Sequence, residues 1–217
     1  MLKNDPYIKQ VSDINCSDFN EALIIYRESF PSNEKHPEDV ITERIKNKKS
    51  LLFCLKLKGE VVGFSLIWDL KDTVFQLLDY FAIKQGFREK KLGSFFFIEL
   101  INQIKSKNKR LIMEVEHPSF GLNTNDKKRR ISFYLRNGSF ILNNVPYILP
   151  PLDDTNYTEM LLLIAPGTEN ENISSVLIKD LIIRLYAELY NRDSNDHILN
   201  KFINKMPSII NLTSYHE

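Results

Sequence analysis

The spacing of apolar and polar positions divides the chain into elements. From Val74 to Ile83 no proline or glycine interrupts a run rich in β-branched and aromatic residues, which predicts a largely buried strand. After Gly93, the residues Phe96, Phe97, Leu100, Ile101 and Ile104 recur three and four apart, with Glu99, Asn102, Gln103 and Lys105 between them. That spacing predicts an amphipathic helix. Upstream, Tyr7 to Val11 suits a first strand. Ser17 or Asp18 is placed to cap a helix through Phe30, with Pro31 at its stop. Pro37 to Lys48 reads as a second helix with Val40, Ile41 and Ile45 on one side. Leu51 to Leu57, the turn Lys58-Gly59 and Glu60 to Asp69 read as a hairpin. Arg110 to Glu116 predicts a fifth strand, after which a helix leads to strands around Phe140 and from Glu159 to Ala165. Beyond a linker, Pro166 to Asn172, helical spacing returns at Ile173, Val176, Leu177, Leu181, Leu185 and Leu189, with Arg184 and Glu188 spaced to pair. A weaker helix spans Asp196 to Lys205, ahead of Pro207.

Charge adds a site to this outline. Between the Val74–Ile83 strand and the phenylalanine-rich helix lies the loop KQGFREKKLGS, Lys84 to Ser94. A loop that opens a helix presents unbonded N–H groups and the positive end of the helix dipole, which together suit a phosphate. The whole chain does not share this bias: 29 Lys and Arg stand against 28 Asp and Glu, so no basic surplus points to nucleic acid. The run Lys127 to Arg130 is local and reads either as the solvated start of a helix or as a cationic rim for phosphates.

Two motifs carry a resemblance. Arg88-Glu89-Lys90-Lys91-Leu92-Gly93 resembles the RxxGxG/A signature of the GNAT superfamily, the acetyl-CoA-dependent N-acyltransferases, with Lys91 in place of the first glycine. Glycine there allows positive φ and close backbone approach; lysine forgoes both and adds a cation. Further on, Phe133, Tyr134, Asn137, Gly138 and Phe140 resemble the FY…Gly-Phe helix near the end of the GNAT core, with Ser139 inserted. Gly138 is placed to end that helix in a left-handed conformation. The motifs occur in the family's order, and the resemblance covers residues 5–166. It implies an α/β fold, that of the GNAT acyl-CoA N-acyltransferases, with a central mixed sheet flanked by helices, over residues 1–166. Residues 167–217 form a C-terminal helical extension, which packs on the core, forms a dimer interface or covers the acceptor groove.

The resemblance also implies acetyl-CoA as donor and an amine as acceptor. Phe81, Ala82 and Ile83 would pair with the pantetheine arm through their backbone. Arg88, Glu89, Lys90, Lys91, Leu92, Gly93 and Ser94 would hold the pyrophosphate, with Arg130 on the cationic rim. Acetyl transfer to an amine needs a base for the ammonium proton and an acid for the departing thiolate. The strand LIMEVE resembles that of ribosomal-protein alanine acetyltransferases, which makes Glu114 the candidate base and Tyr134 the candidate acid. From the residues themselves, Asp79 shares strand parity with Phe75, Leu77, Phe81 and Ile83, and Glu114 and Glu116 share a face with Ile112. Asp79 and Glu116 therefore stand as alternative bases, since a carboxylate on an apolar face tends toward a raised pKa.

The remaining features bound the reading. The four histidines, His36, His117, His197 and His216, lack metal-ligand spacing. Cys16 and Cys54 suggest no disulfide framework, and no apolar run approaches the ~20 residues that span a bilayer. A cytoplasmic, monomeric or homodimeric protein with neither nucleic-acid nor membrane partner is the expectation. A catalytically silent domain that binds coenzyme A, and an interaction protein assembled through its C-terminal helices, are the alternatives. No stretch, including Asn33 to Pro37 and His117 to Asn125, has a charge pattern selective for one amine.

Overall fold

Two helices and a phenylalanine-rich third cover opposite faces of an antiparallel sheet in the first half of the chain. The computed structural model describes residues 5–31, 35–151 and 157–214. The chain forms two compact units, residues 1–111 and 112–217, so that the boundary falls inside a strand.

In the first unit, β1 (Tyr7–Val11) pairs with β2 (Ser50–Leu57), β2 with β3 (Glu60–Asp69), and β3 with β4 (Phe75–Ile83), all antiparallel. The β2–β3 turn forms where Lys58 and Gly59 both take positive φ, 51° and 88°, as the tight primed turns require. Helices α1 (Ser17–Ser29) and α2 (Glu38–Lys46) bury Phe19, Ala22, Ile25, Tyr26, Ile41 and Ile45 against Leu52, Cys54, Phe64, Leu66, Tyr80 and Ala82. Helix α3 (Leu92–Lys105) buries Phe96, Phe97, Leu100 and Ile104 at the predicted spacing.

Two details of this unit differ from expectation. Asp18 does not cap α1: the helix has no side-chain cap, and the buried Asp18 carboxylate instead accepts from Lys9 at 2.7 Å and from Lys56. Burial alone would raise its pKa, but the hydrogen bonds from Lys56 and Lys9 outweigh this and hold it below the ordinary value. The second difference lies in β4. Leu66 pairs with Tyr80 and Ile67 with Leu78, so Asp79 is the extra residue of a β-bulge. The bulge reverses parity. Phe81 shares a face with Leu78 and Gln76, whereas Tyr80 shares one with Leu77, and Asp79 does not lie on the Phe75, Leu77, Phe81, Ile83 face that counting by twos assigns it.

The second unit is built on β5 (Arg110–Glu116), β8 (Thr158–Ala165), β6 (Phe140–Leu142), β10 (Ile209–Thr213) and β9 (Asn172–Ser174), neighbours in that order, with β7 (Tyr147–Leu149) also on β8. Helix α4 (Thr124–Arg136) ends as Gly138 takes φ 91°. There the Gly138 N–H bonds the Leu135 carbonyl and the Ser139 N–H that of Tyr134, both at 3.1 Å, which is a Schellman closure. The inserted Ser139 thus serves as its last donor.

The C-terminal segment is more than helices. Helices α5 (Ser175–Glu188) and α6 (His197–Ile203) lie between β9 and β10, which pair antiparallel, and β10 pairs with β6. The linker is tied down as well, because Asn170 N–H bonds the Leu212 carbonyl and Leu212 N–H bonds that of Glu171, each at 2.9 Å. The buried stripe of α5 is Ile178, Leu181, Ile182, Leu185 and Tyr186. Val176 and Leu177, expected on that stripe, are exposed, and Ile173 belongs to β9. Asp196 caps α6 by accepting from the N–H groups of Ile198 and Leu199. Among the described residues, no helix is long and apolar enough to cross a membrane.

Candidate functional site

The loop from Lys84 to Ser94 leaves β4 through a short 3-10 turn, Gln85–Phe87, and enters α3 at Lys91. Lys91 adopts φ 58° and ψ 5°, the left-handed region, and Glu89 has φ 65°. The expectation that lysine forgoes the conformation of the missing glycine is therefore corrected: this chain reaches it with a lysine, at the steric cost a Cβ carries there. No side chain caps α3. The first-turn N–H groups of Leu92, Gly93 and Ser94 lie where a helix leaves its donors without intrahelical partners, and Phe95 N–H is the first to close back, onto the Lys91 carbonyl at 3.1 Å.

The cations of this loop have different tasks. Arg88 Nε donates to the Ile83 carbonyl at 3.1 Å, tying the loop to the strand that precedes it. Lys90 Nζ donates to the Gly86 carbonyl at 3.1 Å and lies 5.0 Å from the Phe87 ring centroid. Lys91 is exposed. At the end of β4, Phe81 packs against Phe96 and Phe97, with ring centroids 5.2 and 6.0 Å apart, and Ala82 and Ile83 are buried.

Around the bulge, Asp79 Oδ2 lies 3.6 Å from Arg44 Nη1, and the Arg44 guanidinium stacks 4.9 Å from the centre of Trp68. Tyr80 and Tyr26 hold His36, just ahead of α2: Tyr26 OH donates to the His36 carbonyl at 3.0 Å, and the His36 N–H donates to Tyr80 OH at 3.3 Å. Burial, with help from Arg44, pushes the His36 imidazole down to about 4, so it is neutral at physiological pH. Its spacing from the other histidines carried no sign of this.

In the second unit, Glu114 is partly exposed on β5, and its carboxylate accepts two hydroxyls: Tyr147 OH on Oε1 and Tyr190 OH on Oε2, the latter at 2.6 Å. Desolvation raises its pKa, opposed by the two tyrosine hydrogen bonds. Neither tyrosine was legible as a site residue. Tyr147 sits in a three-residue strand and Tyr190 just past α5, and the only sequence signal is the spacing of Tyr186 and Tyr190. Glu116, the neighbouring alternative, lies 3.8 Å from the buried Lys127 Nζ, which also donates to the Phe120 carbonyl. That bond holds the loop after β5 against α4.

Tyr134 lies on the last turn of α4, and its backbone carbonyl is the acceptor of the Schellman closure. Burial pushes its hydroxyl up to about 12, against the opposing charge of Arg130 one turn earlier. The hydroxyl is therefore protonated at neutral pH.

No protein-family profile and no curated protein matches the chain. Solved structures do. A GNAT-family protein from Bacteroides thetaiotaomicron matches with a TM-score of 0.70 at 19% identity, over 85% of this chain and 98% of that one. A ribosomal-protein alanine N-acetyltransferase from Escherichia coli matches at 0.54 and 16% identity, over 78% and 99%. An aminoglycoside 6′-N-acetyltransferase solved with coenzyme A matches at 0.57 and 14% identity, over 72% and 95%. The chain has the fold of the GNAT acetyltransferases.

Proposed function

We propose that this chain is an N-acetyltransferase that moves the acetyl group of acetyl-CoA onto a primary amine of a small molecule or peptide. The observation that carries the reading is the entry to α3, where an uncapped helix start follows a left-handed residue in a loop holding Arg88, Lys90 and Lys91. Those donors fit a pyrophosphate, which is anionic and accepts hydrogen bonds on every oxygen. Leu92, Gly93 and Ser94 supply backbone N–H groups, Arg88, Lys90, Lys91 and Arg130 supply charge, and Phe81, Ala82 and Ile83 pair with the pantetheine arm.

Acetyl-CoA supplies an activated acetyl group on a thioester. The amine nitrogen forms a bond to the carbonyl carbon, the carbon–sulfur bond breaks, and two protons must be placed. Glu114 takes the proton that the nitrogen loses, and Tyr134 gives its hydroxyl proton to the sulfur. No residue of the chain is acylated. Asp79 lies beside the Arg44 guanidinium and Glu116 beside the Lys127 ammonium, whereas the Glu114 carboxylate meets two neutral hydroxyls, which favours Glu114 for the role. A cytoplasmic location fits a donor made there and two free cysteines.

The test is thiol release from acetyl-CoA against a panel of small amines and peptide N-termini. Amine-dependent release is the expected result. Coenzyme A binding without release on any amine would favour a silent binding domain instead. Lys91 gives a separate check on the loop. Because its backbone already has the left-handed form, Lys91→Gly removes strain and should raise the unfolding free energy by up to about 1 kcal/mol in urea titrations. The same change removes a cation, so coenzyme A affinity should fall severalfold, and less so in high salt.

A further inference from the structure

We propose that Tyr147 and Tyr190 are positioning residues for Glu114, a two-hydroxyl clamp that fixes the carboxylate and makes the C-terminal segment part of the catalytic apparatus. The inference rests on the reading of Glu114 as base. One hydroxyl meets each oxygen: Tyr147, from β7, binds Oε1, and Tyr190, from beyond α5, binds Oε2 at 2.6 Å. A carboxylate offers about four acceptor positions, so a clamp that takes one on each oxygen stops rotation of the group and leaves lone pairs for an incoming proton. The donors are themselves anchored. The Arg192 N–H bonds the Tyr186 carbonyl at 2.9 Å and its guanidinium reaches the Pro151 carbonyl at 3.4 Å, so the chain around Tyr190 is closed back onto α5. Tyr186 OH donates to the Ile148 carbonyl, pinning α5 to β7, and the Tyr147, Tyr186 and Tyr190 rings pack edge to face at 6.2 to 6.3 Å.

Among the described residues, the titratable groups that face Glu114 are these tyrosines; Asp196 and Arg192 act on Tyr186. Burial, and then the charge of Glu114, raises Tyr147 well above its ordinary value, so it donates throughout the working pH range. Hydrogen bonds to the ionised form favour that form. Losing one hydroxyl should therefore raise the pKa of Glu114.

The experiment compares the wild type with Y190F and Y147F, each of which deletes a hydroxyl and leaves the ring packing. The acid limb of kcat/KM against pH should move upward by about one unit in either variant, with activity recovered at higher pH. The Glu114 carboxyl carbon, assigned by its loss in E114Q and followed by carbon NMR in glutamate-labelled protein, should shift its titration in the same direction. That second readout needs no turnover, and either variant suffices if the other does not fold. An unmoved carboxyl titration would overturn the clamp. A moved titration in a chain inactive toward every amine would support the clamp and overturn Glu114 as base.

Discussion

Replacing Glu114, the proposed base, with glutamine is expected to lower kcat/KM for acetyl transfer by about 10²–10⁴-fold, the usual span for deleting a general base. Glutamine is close to isosteric and its carbonyl still accepts from one tyrosine, so the fold persists while proton acceptance is lost. The pH dependence carries the diagnosis. Glu114 accepts a proton only when ionised, and desolvation raises its pKa above an ordinary value near 4.5. The wild-type rate should rise with pH through that raised value, and the limb should vanish in E114Q. Stability responds in the opposite sense. A carboxyl whose pKa is raised on folding contributes stability below its unfolded value, and this is lost as pH climbs through the folded one. The stability of the wild type relative to E114Q should thus fall over that interval, as urea denaturation at a series of pH values would record. A flat difference would mean that Glu114 is not desolvated.

Tyr134→Phe is expected to lower kcat by about 10²-fold, the lower end for an acid whose role water can partly take over. KM for acetyl-CoA should hardly change. The ring remains, and the tyrosine's contribution to the α4 end is its backbone carbonyl, which phenylalanine keeps. A donor-specific signature separates acid catalysis from packing: an acetyl thioester of a more acidic thiol needs less protonation of its leaving sulfur, so the defect should shrink with such a donor. An equal defect with both donors would remove Tyr134 from the thiol end.

Much of the fold was legible because its determinants are local. The Lys58-Gly59 turn, the α3 stripe and Gly138 after FYLRN each depend on neighbours in the chain, and each formed where expected. Where the structure departs from the sequence pattern, the causes are physical. Counting by twos places Asp79 on an apolar face, but a bulge adds one residue that an even period cannot show. The intrinsic preference of lysine disfavours the left-handed form, but Lys91 adopts it at the entry to α3. Strands β7 and β9 have three residues each, too few for any period to show. The tyrosines on Glu114 were out of reach of pattern, since Tyr190 lies 76 positions further along the chain.

Titration of the wild-type chain with coenzyme A in a calorimeter tests the central claim most directly. A loop that receives a pyrophosphate on backbone N–H groups and cations should give one-to-one binding that weakens as salt rises. No binding up to millimolar coenzyme A would contradict the account.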